Sequence, residues 1–467
     1  MKRMVLFMVL MALGSCATYA PKKYNELKFD KDISWPNYKI YSFVSKNKIK
    51  FFVIEDSELP LIRIQMYVKG GRSVVPSGKE GLDFILAQMI LNGGTKKYPE
   101  EQFNVFLEDR AVEFYIDFDF LNAVVNIDLL SKDFYEVMPV ILDSLAHPNF
   151  TKENFELAKK RLKSIIARRN DNQEEIGHRE FKRIVYGKDS IYGRIPTYES
   201  VDNITMQDVL DFHKRLFVGS NLLVGIVGDL QVKDIKNRVL DLFSLFPKGQ
   251  EVVFDFPEPP YNGGEKFIVD SKDSNQAFII LGHLGDYRLN PDYGALQVMN
   301  MVLSGGFSGR LFENIRTRKG LAYSVYSHFG CERYFPGIFF VALKTKNSSV
   351  TDAILAVIDE LKKIKEHGCS AKEVEDAKEQ FLNSIVFRYD SPRKVMERRL
   401  YYELRDMDPN SFLKLIDDIK KVSENDVSRV AKKYLDVDKL DILVVGDKKQ
   451  LENELKGLGN WREWELD

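Results

Sequence analysis

From Leu61 to Val68 the chain alternates strictly, with Ile62, Ile64, Met66 and Val68 on one face, as a half-buried strand requires. Val112 to Leu130 also reads mainly as strand. Asp133 to Leu145 then returns to helical spacing, where Pro139 is tolerable only near the helix start or at a kink. Helical spacing recurs over about 205–217 and 423–435. Each of those stretches leads into a β-rich run, Leu222 to Val227 and Leu440 to Val445, that closes on a Gly-Asp turn. Strands interleaved with helices in this order predict sheets covered by helices on one face, an α+β architecture.

The pattern repeats. Ile204 to Val209 and then Val227-Gly-Asp229 are echoed by Val422 to Val427 and Val445-Gly-Asp447 at an offset of 218 residues. Thr151 to Asn154 and Ala158-Lys159 are echoed by Ser370 to Glu373 and Ala377-Lys378 at 219, and Leu91 to Gly94 by Leu303 to Gly306 at 212. Several matches in one order at nearly one offset predict two homologous halves. Thr205, Ser423, Thr151 and Ser370 each precede Asp208, Asp426, Asn154 and Glu373 by three residues, a helix-start spacing in which only Glu373 is expected to complete a capping box. Phe246-Pro247 closes the first half, and Phe256 to Gly264, with three prolines and two glycines, reads as an extended linker. The expected division is 33–247, a linker at 248–265, and 266–467.

Composition adds little to the pattern. The 467 residues are 44% apolar and 29% charged with a formal net charge of −1, so no basic excess recruits nucleic acid. The N-terminus changes the picture. Lys2 and Arg3 precede the apolar run Met4 to Leu13, which leads into Leu13-Gly-Ser-Cys16. This reads as a signal peptide over 1–15, too short for a confident membrane span, ending in a lipobox. Cys16 is then the expected lipidated residue, 16–32 a tether, and the location an exported protein lipid-anchored to the bacterial cell envelope and facing the periplasm. Cys331 and Cys369 do not define a disulfide framework and read as ordinary apolar residues.

Candidate chemistry comes from two segments. Glu80-Gly-Leu-Asp-Phe-Ile-Leu-Ala-Gln-Met-Ile-Leu-Asn-Gly-Gly-Thr95 resembles the signature stretch of the M16 (pitrilysin-like, inverzincin) zinc peptidases, whose active members carry His-x-x-Glu-His on this helix. Gly81-Leu82, Met89 and Asn92 to Thr95 hold the register, and the three chemical positions fall on Phe84, Ala87 and Gln88. The remaining family ligand, a Glu on a later helix, falls on Ile165. A catalytic zinc needs three protein ligands and an open position, so these residues predict no metal on this chain. The six histidines, His147, His178, His213, His283, His328 and His367, include no pair at helical spacing to replace it.

The second segment, Leu303 to Val325, resembles another M16 pattern: a Gly-rich turn, Arg310-Leu-Phe, then Arg316 and Gly320-Leu-Ala-Tyr-Ser-Val325. In the family an Arg and a Tyr seven residues apart hold the substrate backbone and the tetrahedral intermediate, which assigns those roles to Arg316 and Tyr323. The resemblance covers about Asp32 to the C-terminus. It implies two halves, each a pair of related α/β units with helices on antiparallel-rich sheets, enclosing a peptide chamber. It also implies the zinc-lacking subunit of a small bacterial heterodimer, whose partner carries His-x-x-Glu-His and the zinc. The alternative is a non-enzymatic scaffold or peptide-binding lipoprotein of the envelope.

Overall fold

A computed structural model describes residues 38–272 and 274–467. The expected signal peptide, Cys16 and tether lie outside the described residues. Strands β1 (Tyr41–Val44), β2 (Lys50–Glu55), β3 (Leu61–Lys69), β4 (Glu113–Phe118), β5 (Asn122–Leu130) and β6 (Leu222–Gly228) form one six-stranded sheet in the order β1-β2-β6-β3-β5-β4. In the second half lie β7 (Lys266–Asp270), β8 (Gln276–Leu284), a short β9 (Asp286–Tyr287), β10 (Ser324–Phe329), a short β11 (Cys331–Glu332), β12 (Ile338–Lys346), β13 (Asp441–Gly446) and β14 (Arg462–Glu463). Six of these make a second sheet in the order β10-β12-β8-β13-β7-β14, and β9 and β11 pair by themselves.

The two sheets repeat one plan. β2 runs parallel to β6 as β7 does to β13, while β3 is antiparallel to β6 and β5 as β8 is to β13 and β12. Most pairings are antiparallel, and the fold is the expected α+β type. Residues 248–265 between the sheets carry neither helix nor strand.

Each half lends a helix to the other. The Gln173–Tyr186 helix follows the first half's helices in sequence but lays Ile176, Phe181 and Val185 on Phe278 and Ile280 of β8 and Leu443 and Val445 of β13. The Pro392–Leu404 helix returns the exchange, packing Met396, Leu400 and Leu404 on Phe52, Ile54, Leu223 and Val227 of the first sheet. Two glycines make the close approaches. A Cβ on Gly177 would stand 2.3 Å from a Phe278 ring carbon, and one on Gly225 would stand 2.6 Å from Met396 Cγ. Gly177 and Met396 are 219 residues apart, the offset of the internal echoes.

This exchange explains a departure from the one-face expectation. Every residue of β6 and of β13 is buried, because the sheet's own helices cover one face and the exchanged helix covers the other. Burying Leu400 and Met396, 0% and 2% exposed, is worth roughly 1.5–3 kcal/mol each. Ion pairs at the rim, Lys50 to Glu403 at 2.8 Å and Arg393 to Asp128 at 3.2 Å, fix the second helix's position.

One local expectation is corrected. Asp208 and Asp426 complete capping boxes as Glu373 does, their carboxylates accepting from the Thr205 and Ser423 backbone N–H groups at 2.8 and 3.0 Å. The shorter aspartate therefore suffices at both repeats. Pro139 is the sixth residue of the Phe134–Ala146 helix, past its first turn.

Candidate functional site

The Leu82–Gly93 helix begins after Gly81, whose φ is 102°, and ends at Gly94, φ 61°. A Cβ on Gly81 would stand 2.5 Å from Leu162 Cδ2, so glycine there lets the Lys152–Arg168 helix come close. Asn154 Nδ2 donates to Asn92 O at 3.1 Å and ties the two helices together at the far end. In this family-like arrangement, the first helix and the second would jointly hold a metal.

The side chains present do not fit one. Ala87 is buried at 4% exposure and Phe84 packs half-buried against the first core; neither has a lone pair to give. Gln88 Oε1 accepts a hydrogen bond from Arg161 Nη1 at 2.9 Å, so the one oxygen at these positions already faces a cation. Ile165 stands 51% exposed on the same helix, one turn beyond Arg161. Among the described residues no group of three or more His, Cys, Asp or Glu is placed to hold a metal ion. Two of the histidines are committed to backbone. His213 Nε2 donates to Leu145 O at 2.8 Å while burial pushes its pKa down to about 4. His283 bridges Leu284 O and the Asp436 N–H.

The second segment is built differently. Gly306, φ 56°, turns the chain out of the Tyr293–Ser304 helix into a short turn, and helical structure resumes at Arg310. Arg310 is structural: it donates to Glu373 at 2.6 and 3.0 Å and to Gly368 O at 3.0 Å. The Glu373 carboxyl is held down to about 2, chiefly by that guanidinium. Phe312–Arg318 then forms a π-helix, a wide turn that recurs at functional sites.

Arg316 lies on this segment, exposed, with its guanidinium carbon 4.6 Å from the Phe312 ring centre. It joins no ion pair and donates no side-chain hydrogen bond among the described residues. Tyr323 is 50% exposed, while its backbone N–H is fixed to Lys344 O at 2.8 Å at the entry to β10. Thr345 Oγ1 donates to Leu321 O at 2.6 Å and steadies the connecting turn.

The structure thus brings Phe84, Ala87 and Gln88 together on one helix of the first half. Arg316 and Tyr323 lie at one end of the second sheet, and no hydrogen bond or ion pair joins the two groups among the described residues. Cys331 and Cys369 are free thiols. Sequence reasoning missed Arg161, because its place one helical turn before Ile165 does not by itself distinguish it from the other cationic residues of that helix.

Comparison with known proteins agrees with this arrangement. Residues 50–193 match the family model described as Insulinase (Peptidase family M16), and residues 203–381 match that described as Peptidase M16 inactive domain. The chain belongs to the M16 peptidase family. It is 26% identical over 411 residues to the "Non-peptidase homolog YmxG" of Helicobacter pylori, covering 87% of this chain and 94% of that one. An "Uncharacterized zinc protease" of Rickettsia bellii is 24% identical, with 72% and 85% covered. Among solved structures, a peptidase M16 inactive domain from Pseudomonas fluorescens superposes with a TM-score of 0.77 at 21% identity, covering 88% of this chain and 98% of that one. A Helicobacter pylori protease gives 0.75 at 17%, covering 88% and 100%. Both likenesses are of fold.

Proposed function

We propose that this chain is a non-catalytic M16 subunit that closes a peptide chamber and supplies Arg316 and Tyr323 to a partner carrying the His-x-x-Glu-His zinc site. The observation that supports this most is the contrast between the two sites. Phe84 and Ala87 have lost all ligand character and Gln88 is held by Arg161, whereas Arg316 and Tyr323 remain exposed and uncommitted. A guanidinium with fixed N–H donors and a phenol O–H suit a peptide carbonyl whose oxygen gains charge. In this reading Arg316 orients the substrate backbone, and Tyr323 donates to the developing oxyanion. The zinc and the water-activating carboxylate belong to the partner. Export and lipid anchoring through Cys16 would place the pair at the envelope, facing the periplasm.

A second reading keeps the fold and drops the chemistry: a scaffold or peptide-binding lipoprotein. The near full-length likeness to a relative named a non-peptidase homolog favours it. The experiment that separates them is peptide hydrolysis with zinc by this chain alone, by an encoded His-x-x-Glu-His homologue alone, and by the mixture. Chelator-sensitive turnover that appears or rises only in the mixture supports the shared site. A homologue equally active without this chain leaves the scaffold, and turnover by this chain alone contradicts both.

A further inference from the structure

A separate cavity lies where the exchanged Pro392–Leu404 helix meets the second half. It opens to solvent, has a volume of about 130 Å³, and is lined by Arg288, Arg388 and Arg398 with the rings of Tyr293, Tyr401 and Tyr402 among its walls. Among the described residues no carboxylate lines it. We propose that this cavity binds a phosphate group, either inorganic phosphate or the phosphate end of a small monoester.

The argument starts from unmet charge. None of the three arginines joins an ion pair or donates a side-chain hydrogen bond among the described residues, yet each guanidinium carries five N–H donors and stays charged. Neighbours on the same helix show the ordinary alternative: Arg393 pairs with Glu397 at 3.0 Å and Arg399 with Glu403 at 2.9 Å. Arg398, between them, has no such partner. Aromatic rings face two of the cations instead. Arg288 lies 3.6 Å from the Tyr293 ring centre, and Arg398 lies 5.8 Å from that of Tyr401.

The cluster's charges oppose one another. Burial first, and then the charge of Arg398, push the Arg388 pKa below its usual value; Arg288 is lowered by burial and, further down, by Arg388. Glu332 on β11 lies in the field of Arg288, but its first cationic neighbour is Arg405 and it does not line the cavity. Cys331, which does line it, is a neutral thiol with its pKa pushed up to about 12, chiefly by burial. A dianion offsets three guanidiniums better than a single carboxylate, and its oxygens accept from several forks at once. The volume is ample for a phosphate group.

The inference is independent of the proposed function. Its test is calorimetric titration of the full chain at constant ionic strength with inorganic phosphate, with glycerol phosphate, and with succinate. Saturable one-to-one binding of either phosphate, weakened about tenfold or more by Arg388→Gln and by Arg398→Gln, is the expected result. The tighter of the two phosphates then identifies the source. Arg388 is a surface residue whose guanidinium alone is partly desolvated, so its variant decides the matter even where Arg398→Gln folds poorly. Absence of saturable binding by both phosphates, succinate binding as tightly, or affinity unchanged in the folded variants overturns the proposal.

Discussion

Arg161 Nη1 donates to Gln88 Oε1 at 2.9 Å, joining two helices at the place where this family's active members assemble a metal site. The bond does more than fill a gap, because a fixed cation beside a ligand position opposes a second cation there. Restoring ligands alone with Phe84→His, Gln88→His and Ile165→Glu is therefore expected to give weak zinc binding. Glu at 165 would also pair with Arg161 one helical turn away. Adding Arg161→Ala to the same background should tighten zinc binding by about tenfold, the worth of one charge-assisted contact. Titration with zinc checks this, and equal affinity in the two backgrounds counts against a role for Arg161.

Gly177→Ala tests the exchanged helices. The added methyl would meet the Phe278 ring at 2.3 Å, and overpacking of this kind costs about 1–3 kcal/mol. That exceeds the gain of about 1 kcal/mol that alanine brings to a helix interior. Gly225→Ala meets two flexible side chains, Met396 and, at 2.8 Å, Leu400, rather than an aromatic ring, so its cost should be smaller. Urea unfolding of both variants reads the difference; a Gly177→Ala protein as stable as the parent contradicts the close contact.

Much of this architecture was legible and some was not, for physical reasons. Ile62 to Val68 announce β3 because one face meets the core and the other does not. The spacing of Thr205 and Ser423 announces the duplication because helix starts need a polar cap. The exchange was not legible, because an apolar helix stripe such as Met396 and Leu400 says that a sheet is covered and not which one. The continuous apolar run of β6 carried the trace of it, since only a strand covered on both faces reads that way. Phe84 and Ala87 could be read as incapable of binding metal from chemistry alone. Arg161 could not be placed, because a surface arginine on a helix has no sequence mark that distinguishes it from its neighbours. The pairing of Arg310 with Glu373 likewise depends on a tertiary neighbour 63 residues away.

Asp441 predicts a pH dependence. Burial raises its pKa from 3.8 to about 7, while a Tyr261 hydrogen bond acts in the opposite sense. The folded state thus holds a proton that the unfolded state releases between those values. Its carboxyl costs nothing below pH 3.8, costs more as pH rises, and reaches its full cost above about pH 7. Asp441→Asn keeps an acceptor for the Glu265 N–H, which lies 2.9 Å from Asp441 Oδ1, and removes the charge. The variant should gain stability over the parent at pH 8 by on the order of 1–4 kcal/mol, with little gain at pH 4. Denaturation at the two pH values checks this, and a gain independent of pH would contradict the buried carboxyl.

The central claim is that Arg316 and Tyr323 serve a partner's active site. Its most direct test is turnover of a peptide by the reconstituted complex, comparing the parent with Arg316→Ala and Tyr323→Phe, alongside sedimentation to confirm that the complex persists. The account predicts intact complexes whose kcat/KM falls in both variants, by about 10²–10³ for Tyr323→Phe, as removal of an oxyanion donor does. Intact complexes with unchanged turnover in both variants would contradict it.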